Sequence, residues 1–571
     1  MYAQLDTKDW QMESKDEQIK FLTEAIIALS QADAPVKSVN EALRALDKGK
    51  TEQAQAIFIE VAAAKESAEQ KSNKEAAAAY RHFAVLAFFN DDTKAALAAY
   101  QKAVALDPDN ADGWNRLGDL FYRIRKFARA EGAYRKVLVL SEKHRNQAEQ
   151  AVAYGNLGRI YENVGDFEHA EHVYRKVLAI DKALNRKKEM ADDYLQLGGM
   201  FFLRREFEQA EQMYRKTLEL DKTLNSREQM AITYNNLGII YGIRGELDKT
   251  EKMHRKALAI NKALDNKKSM AVNYGNLGNV YRERGELDQA EEMHGKALEI
   301  NKVLGSKKDI ARDYGNLGLV YKTSGDLGLA DEMNRKALAI YKAAGEKQGM
   351  AIIYRNLGDM YQTHGDLEQA EDLYRKALAV EEARGSKDGM ARCYSDLGLV
   401  YASRNQLEQA EQMYRKALAL DEASGHKTER MATTYNNLSM VYAFRNELDQ
   451  AEKLLKKALA INEALGTQEN MAARYGNLGN VYKARGDLKQ AEQMHRKALA
   501  VEKAGGNKNG MAYCYYNLGL VYQKSGDLDQ AETVWGKSLS LYQETGEGQN
   551  CSNAKKVRQW LDDLARERSS R

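Results

Sequence analysis

Apolar and polar residues recur along this chain with a long, strict period. A phrase of the form Tyr-x-Asn-Leu-Gly, or a close variant of it, returns ten times at a spacing of 40 residues, with one spacing of 41. The signature tyrosines are Tyr154, Tyr194, Tyr234, Tyr274, Tyr314, Tyr354, Tyr394, Tyr435, Tyr475 and Tyr515. A period of this length predicts stacked supersecondary units, each of which buries its apolar face only against its neighbours.

Each unit contains two amphipathic stretches, as residues 271–310 illustrate. The first apolar stripe has helical spacing and consists of Val272, Leu277, Val280 and Tyr281. The second consists of Leu287, Ala290, Met293, Ala297, Leu298 and Ile300. Gly285 stands between them where glycine commonly ends a helix, and Glu286 places negative charge at the start of the next one. Repeated helix–turn–helix pairs predict an all-α fold.

Small and large residues alternate in a fixed register. Small residues occur where the two helices of a unit must touch, at Gly278, Ala290 and Ala297 and again at Gly318, Ala330 and Ala337. Aromatic residues fill the gaps between units, at Tyr281, Tyr321, Tyr361 and Tyr401. This arrangement resembles the tetratricopeptide repeat over roughly residues 36–545. The resemblance implies an α-solenoid, a right-handed superhelix of helix–turn–helix pairs with capping helices at its ends.

The spacing divides the chain into segments. Tyr80 and Trp114 stand 34 residues apart, which is the standard period of the family that the chain resembles. Residues 36–150 are therefore expected to hold a degenerate unit and two 34-residue repeats, and residues 151–551 ten repeats of 40 or 41 residues. Residues 1–35 predict an N-terminal helix that acts as a cap or forms a short coiled coil. Residues 552–571 predict a C-terminal capping helix and tail.

The first helix of each pair carries the candidate binding site. Two residues after the signature tyrosine stand Asn156, Gln196, Asn236, Asn276, Asn316, Asn356, Asp396, Asn437, Asn477 and Asn517. A carboxamide both donates and accepts hydrogen bonds, so a row of them suits the backbone of an extended polypeptide. The same phrase resembles the repeats of kinesin light chain and of the Pins/LGN adaptors. That resemblance implies that the eight asparagines lie in a concave peptide groove. The alternative, that they bond to neighbouring helices and fix the stacking, stays open.

The full set of predicted peptide-binding residues adds charged neighbours on the same face. It consists of Asn156, Asn236, Asn276, Asn279, Arg282, Arg312, Asn316, Lys322, Arg355, Asn356, Asn437, Asn477 and Asn517. The modest excess of cations in the middle of the array favours a ligand with acidic side chains. Two apolar stretches are either pockets for hydrophobic anchors or packing surfaces: Phe202, Leu203, Ile239 and Ile243, and then Leu399, Met440 and Phe444.

Composition narrows the class of partner. Lys and Arg total 86 against 83 Asp and Glu, a net charge of +3, which argues against nucleic-acid binding or a polybasic membrane contact. No apolar run approaches the ~18 residues that span a bilayer, so membrane insertion is not expected. The three cysteines, Cys393, Cys514 and Cys551, form no disulfide framework, which favours a reducing, cytoplasmic location.

The sequence contains no clear catalytic motif. His169 and His172 are the only close histidine pair, and no further ligand motif accompanies them. No enzyme activity, metal or cofactor is expected. The sequence predicts a non-catalytic protein–protein interaction scaffold that binds an extended peptide in its groove. The alternative is a sensory or regulatory module whose superhelix responds to a peptide or small ligand and controls an effector domain absent from this chain. The solenoid ends are also compatible with self-association.

Overall fold

The computed structural model describes residues 70–90, 92–423, 427–467, 470–545 and 552–569, together with scattered positions between residues 41 and 60. The helix predicted within residues 1–35 lies outside the described residues. Within the described ranges the chain consists of α-helices and short connections, without a β-strand. The predicted all-α fold is confirmed.

The chain divides into two compact units, residues 1–280 and residues 281–571. The border between them falls inside one helix, Lys267–Arg284, here called α11. The helices that precede it in the first unit are α1 (Gln70–Phe89), α2 (Thr93–Leu106), α3 (Ala111–Arg123), α4 (Phe127–Lys143), α5 (Gln147–Val164), α6 (Phe167–Ala183), α7 (Lys187–Leu203), α8 (Phe207–Leu224), α9 (Arg227–Ile243) and α10 (Leu247–Ala263).

The second unit continues the same series of helices. They are α12 (Leu287–Leu304), α13 (Lys307–Ser324), α14 (Leu327–Ala344), α15 (Lys347–His364), α16 (Leu367–Arg384), α17 (Lys387–Ser403), α18 (Leu407–Ala423), α19 (Glu429–Phe444), α20 (Leu448–Leu465), α21 (Met471–Arg485), α22 (Leu488–Ala504), α23 (Lys508–Ser525), α24 (Leu528–Glu544) and α25 (Ser552–Ser569). Odd-numbered helices from α1 to α23 are the first helices of their pairs, and even-numbered helices are the second.

Within each unit, a first helix packs against its own second helix and against the second helix of the preceding pair. The turn inside a pair is short and is defined by its residues. After α13, Gly325 adopts a left-handed conformation with φ of +85°, which glycine reaches without steric strain. The Asp326 side chain then accepts a hydrogen bond from the Leu329 amide and caps α14. The sequence therefore ends one helix and begins the next within two residues.

A glycine in the first helix lies directly under a large side chain of the second. A methyl group added at Gly398 would lie 2.6 Å from Cε1 of Tyr414, and one added at Gly358 would lie 2.6 Å from Cε1 of Tyr374. Both tyrosine rings are fully buried. The two helices therefore approach so closely that no side chain fits at these positions, as the alternation of small and large residues predicts.

A carboxylate on the second helix ties it to the first helix of the next pair. Tyr401 donates a hydrogen bond to Glu371 at 2.7 Å, and Arg375 donates to the Tyr401 hydroxyl at 2.9 Å. Arg404 donates to the other oxygen of Glu371. Burial alone would raise the pKa of the Glu371 carboxyl. The hydrogen bonds from Tyr401 and Arg404, together with the charges of the two arginines, outweigh burial and lower the pKa below its ordinary value.

We call the contact of carboxylate, arginine and tyrosine the tyrosine clamp. It recurs in both units, as Glu131–Arg135–Tyr161, Glu211–Arg215–Tyr241, Glu411–Arg415–Tyr442 and Glu492–Arg496–Tyr522. Because each clamp joins adjacent pairs, it stabilises the stacking and not only the helix on which its charges lie.

The C-terminal helix α25 packs on α24. Val557 is completely buried, and the Trp560 ring lies 4.9 Å from the Trp535 ring and 5.8 Å from the Tyr516 ring. These contacts cover apolar surface of the last helix pair, which would otherwise face water.

Candidate functional site

The candidate site consists of two neighbouring positions on the first helices. We call the residue directly after the signature aromatic residue the lateral position, and the next residue the amide position. The amide position is half-buried in most repeats, for example at Asn236, Asn276, Asn316 and Asn356. Its carboxamide is therefore held by the surrounding helix surface while part of it stays accessible to solvent.

In three repeats the carboxamide at the amide position bonds to the preceding first helix. Its nitrogen donates to an asparagine at the lateral position 41 residues earlier. The pairs are Asn156 with Asn115 at 3.0 Å, Asn276 with Asn235 at 2.9 Å, and Asn477 with Asn436 at 2.9 Å. In these repeats the asparagine joins two first helices to each other, which is the stacking role that the sequence left open.

A charged pair has the same geometry at another interface. Arg355, at the lateral position, donates to the Asp396 carboxylate at 2.6 Å, again across 41 residues. Burial alone would lower the pKa of the Arg355 guanidinium, but Asp396 outweighs it and raises the pKa. Arg355 was predicted to bind peptide. In the structure its guanidinium pairs with a carboxylate of the neighbouring first helix.

Other amide positions have no such partner. In the part of the chain that the structure describes, the side chains of Asn236, Asn316 and Asn356 make no hydrogen bond to protein groups. The lateral residue 41 positions before Asn236 is Leu195, and the one before Asn356 is Gly315. Neither offers a polar side-chain atom, so the carboxamide that follows keeps its donors and acceptors available.

The remaining predicted residues also divide into two groups. Asn437 accepts a hydrogen bond from Asn436 at 3.3 Å, Asn517 is buried and donates to the Tyr513 carbonyl at 3.1 Å, and Arg312 pairs with Asp309 at 2.6 Å. The other group consists of Asn279, Arg282 and Lys322, which are half-buried and have no hydrogen bond or ion pair to another described side chain. The Nε atom of Arg282 is buried and has no hydrogen-bond acceptor among the residues that the structure describes.

The second unit thus collects four uncommitted polar side chains, namely Arg282, Asn316, Lys322 and Asn356. For Asn316 and Asn356 the sequence contains this information, because the lateral residues 41 positions upstream are Gly275 and Gly315, which have no polar side chain. The pattern of one repeat does not show this, since the contact joins two repeats.

The two apolar stretches also differ in exposure. Phe202 packs edge-on against Phe207, with ring centroids 5.8 Å apart, so it serves the contact inside its own helix pair. Ile243 is 47% exposed. In the second unit, Leu399 of α17 is 42% exposed and Phe444 of α19 is 73% exposed. Each of these two apolar side chains is accessible to an anchoring side chain of a partner.

The surroundings of the described histidines indicate structural roles and not a metal site or a catalytic role. His169 Nδ1 lies 2.8 Å from the Asp166 carboxylate at an exposed helix start. His294 and His495 are fully buried in the slot that holds tyrosine in other repeats. Among the described residues, no group of three or more His, Cys, Asp or Glu side chains is placed to hold a metal ion. Over the same residues, none of the helices combines the length and the apolar character needed to span a bilayer.

Comparisons with known proteins agree with the repeat pattern. A tetratricopeptide repeat model matches residues 109–183, 190–263, 269–343, 349–423 and 430–504, together more than half of the chain. A TPR repeat model matches residues 91–124, and a further tetratricopeptide repeat model matches residues 511–545. No curated protein matches the chain in sequence.

Several solved structures are similar in fold. BtubC (BKLC) from P. vanneervenii is 26% identical, with 38% of this chain and 87% of BtubC covered and a TM-score of 0.35. The repeats of a candidate kinesin light chain from Podosopora anserina are 18% identical, covering 34% of this chain and 94% of theirs, with a TM-score of 0.31. The apo quorum sensor NprR from B. thuringiensis is 16% identical, covering 63% and 99% with a TM-score of 0.43.

Proposed function

Because the chain belongs to the tetratricopeptide repeat family, we propose that it is a non-catalytic protein–protein interaction scaffold. Its ligand is an extended peptide segment of a partner, which lies along the first helices and bonds through its backbone to the free carboxamides. Cytoplasmic location is part of the proposal, and it is supported by Cys393 and Cys514, which are free, buried thiols.

The observation that carries the proposal is the pair Asn316 and Asn356 in the second unit. They occupy the amide positions of α13 and α15, first helices that contact each other. An extended chain has an unpaired N–H and C=O at every residue, and each carboxamide offers one acceptor and two donors in return. Protein groups use neither side chain within the described residues, so both are available to a peptide.

Charge favours acidic side chains in this peptide. Arg282 and Lys322 lie in the same unit and have no carboxylate partner among the side chains described there. An acidic residue of the ligand would pair with either cation at a half-buried position, where such pairs are screened less by salt than on an open surface. The exposed Phe444 and Leu399 supply apolar contact further along the unit.

The test begins with selection of random peptides displayed on phage against the full chain. The affinity of the selected peptides is then measured by fluorescence anisotropy for wild type and for Asn316→Ala/Asn356→Ala. We expect the double variant to bind about tenfold more weakly, because each lost hydrogen bond to the peptide contributes roughly 0.5–1.5 kcal/mol.

The matched control is Asn156→Ala/Asn477→Ala, which removes two carboxamides that the structure commits to stacking. This variant is expected to lower the melting temperature while leaving peptide affinity nearly unchanged. If selection yields no peptide, or if both variants bind as wild type does, the first helices are not the binding face. Circular dichroism shows whether each variant keeps its helical content.

A further inference from the structure

The first unit contains a second groove, which is formed mainly by second helices and is separate from the proposed peptide face. It lies between the second helices α6 and α8 and has the first helix α7 as its floor, with a volume of about 440 Å³. Tyr194 and Phe201 form part of the floor, Met213 lies on one wall, and the cations Arg175, Lys182 and Lys216 surround them. None of the described residues that line it is acidic.

The groove exists beside an interface where the tyrosine clamp is incomplete. Phe201 stands at the place that Tyr241 and Tyr401 occupy in other repeats, and it has no hydroxyl group. In those repeats the arginine of the clamp donates to the hydroxyl, at 3.1 Å from Arg215 to Tyr241 and 2.9 Å from Arg375 to Tyr401. Within the described residues, Arg175 has no such acceptor.

The carboxylate of this clamp is already shared. Glu171 accepts from Arg175 at 2.6 Å through one oxygen and from Arg204 at 2.6 Å through the other. One negative charge therefore faces two guanidinium groups, and Arg175 keeps further N–H donors for another acceptor. Arg204 also pairs with Glu206 at 2.6 Å, so these four charges balance, and the positive charge at the groove comes from Lys182 and Lys216.

The two lysines stand over the same ring from opposite walls. The Lys182 Nζ lies 5.5 Å and the Lys216 Nζ 5.2 Å from the centroid of Tyr194. Neither ammonium group has a carboxylate partner among the residues that the structure describes. The ring faces attract these cations and hold them near the groove, where their charges repel each other unless an anion lies between them.

We propose that this groove binds a small amphipathic organic anion. Its flat apolar body would lie against Tyr194, Phe201 and Met213, and its carboxylate, sulfonate or phosphate group would accept hydrogen bonds from Arg175, Lys182 and Lys216. The volume falls in the range of small-molecule sites, roughly 300–1,000 Å³, and apolar walls with a few polar groups are typical of them. The site is independent of the peptide face, since it is built from second helices and the other side of α7.

The experiment uses 1-anilinonaphthalene-8-sulfonate, an aromatic sulfonate whose fluorescence rises in apolar surroundings, with the full chain. Wild type is expected to bind it with an affinity that falls as salt is added. Lys216→Gln and Arg175→Gln are each expected to weaken binding by about fivefold or more, because each removes a charge-assisted hydrogen bond. The control Lys256→Gln removes an equivalent lysine, which lies over Tyr234 in the next repeat, and should leave binding unchanged.

Phe201→Tyr tests the origin of the site without removing a charge. The new hydroxyl would complete the clamp between Glu171 and Arg175, so the variant should melt no lower than wild type and bind the sulfonate more weakly. If Phe201→Tyr and the charge variants all bind as wild type does, the proposal is wrong.

Competition identifies the kind of anion. Naphthalene-2-carboxylate should displace the sulfonate from wild type, and a hexaglutamate peptide should not, because it has no flat apolar body. Displacement by the peptide alone would overturn the assignment to a small molecule and would point to an acidic protein segment instead. Failure of the peptide-face variants leaves this result unaffected, since Asn316 and Asn356 do not line the groove.

Discussion

Gly398→Ala is expected to weaken the packing of α17 on α18 by about 1–3 kcal/mol. The added methyl group would lie 2.6 Å from Cε1 and 2.7 Å from Cδ1 of Tyr414, far inside normal contact distance. The Tyr414 ring is only 1% exposed and is enclosed by other buried side chains, so it has no free space to turn into. Either the helices separate or the ring leaves its rotamer, and both responses disturb a close-packed contact.

The measurement is native-state hydrogen exchange, because a melting curve averages over the whole row of repeats. Amides of α17 and α18 should exchange faster in Gly398→Ala, and those of distant helices much less. The matched control is Gly155→Ala, also within a first helix, where a methyl group would meet no atom of the described residues within 4 Å. That control should be neutral or stabilise α5 by roughly 0.5–1 kcal/mol, since alanine is the better helix former.

A compensating variant separates steric crowding from other effects. One repeat later the equivalents of Gly398 and Tyr414 are Ser439 and Leu455, which are both fully buried. A smaller second-helix residue thus accompanies a larger first-helix residue. Gly398→Ala/Tyr414→Leu should therefore be less destabilised than the sum of its two single changes. If Gly398→Ala exchanges like Gly155→Ala, the close approach of these helices is not a constraint.

The sequence predicted the helix pairs and their close contacts because both depend on short separations in the chain. Gly398 and Tyr414 are 16 positions apart and recur in the same register as Gly358 and Tyr374, so the pattern of one repeat suffices. Each contact is repeated many times, which makes the periodic signal strong. The family match covers the same repeats.

The candidate site was only partly predictable, because its contacts join different repeats. Asn156 and Asn356 stand in the same phrase, yet Asn156 bonds to Asn115 and Asn356 follows Gly315. One repeat cannot distinguish them. The role of Phe201 was likewise not predictable, because a buried aromatic residue fits the repeat pattern. The tyrosine clamps of other repeats show that a hydroxyl group is missing at this position. A repeat pattern predicts the contacts that all repeats share, and the contacts of these residues differ from one repeat to another.

His495→Tyr is expected to make the chain more resistant to acid. His495 is fully buried, and neither ring nitrogen has a hydrogen-bond partner in the described structure. Burial, assisted by the nearby Lys483, lowers the pKa of His495 from 6.5 to about 3. The folded chain therefore keeps this imidazole neutral at pH values where the unfolded chain protonates it. Because of this difference, the free energy of unfolding contributed by residue 495 is fully present above pH 6.5. It is lost progressively as the pH falls toward about 3.

Tyrosine removes this titration and suits the site. Tyr374 and Tyr414 fill the same slot in other repeats, over glycines equivalent to Gly479, and Tyr374 donates a hydrogen bond to Asp359 at 2.6 Å. The corresponding neighbour of residue 495 is Asn480, which offers a carbonyl oxygen to a tyrosine hydroxyl. The variant should thus be at least as stable as wild type at pH 7, where the imidazole nitrogens are buried without partners.

The advantage of His495→Tyr over wild type should grow as the pH is lowered from 7 to 4, by up to about 3 kcal/mol, since each pH unit below the ordinary histidine pKa contributes about 1.4 kcal/mol. Hydrogen exchange of α21 and α22 measures it at each pH. Acidic groups elsewhere titrate in both proteins, so the difference between them isolates residue 495. The control His172→Tyr changes an exposed histidine of α6 and should show no pH-dependent advantage. An advantage of His495→Tyr that stays constant with pH would mean that the buried imidazole is not what makes these helices sensitive to acid.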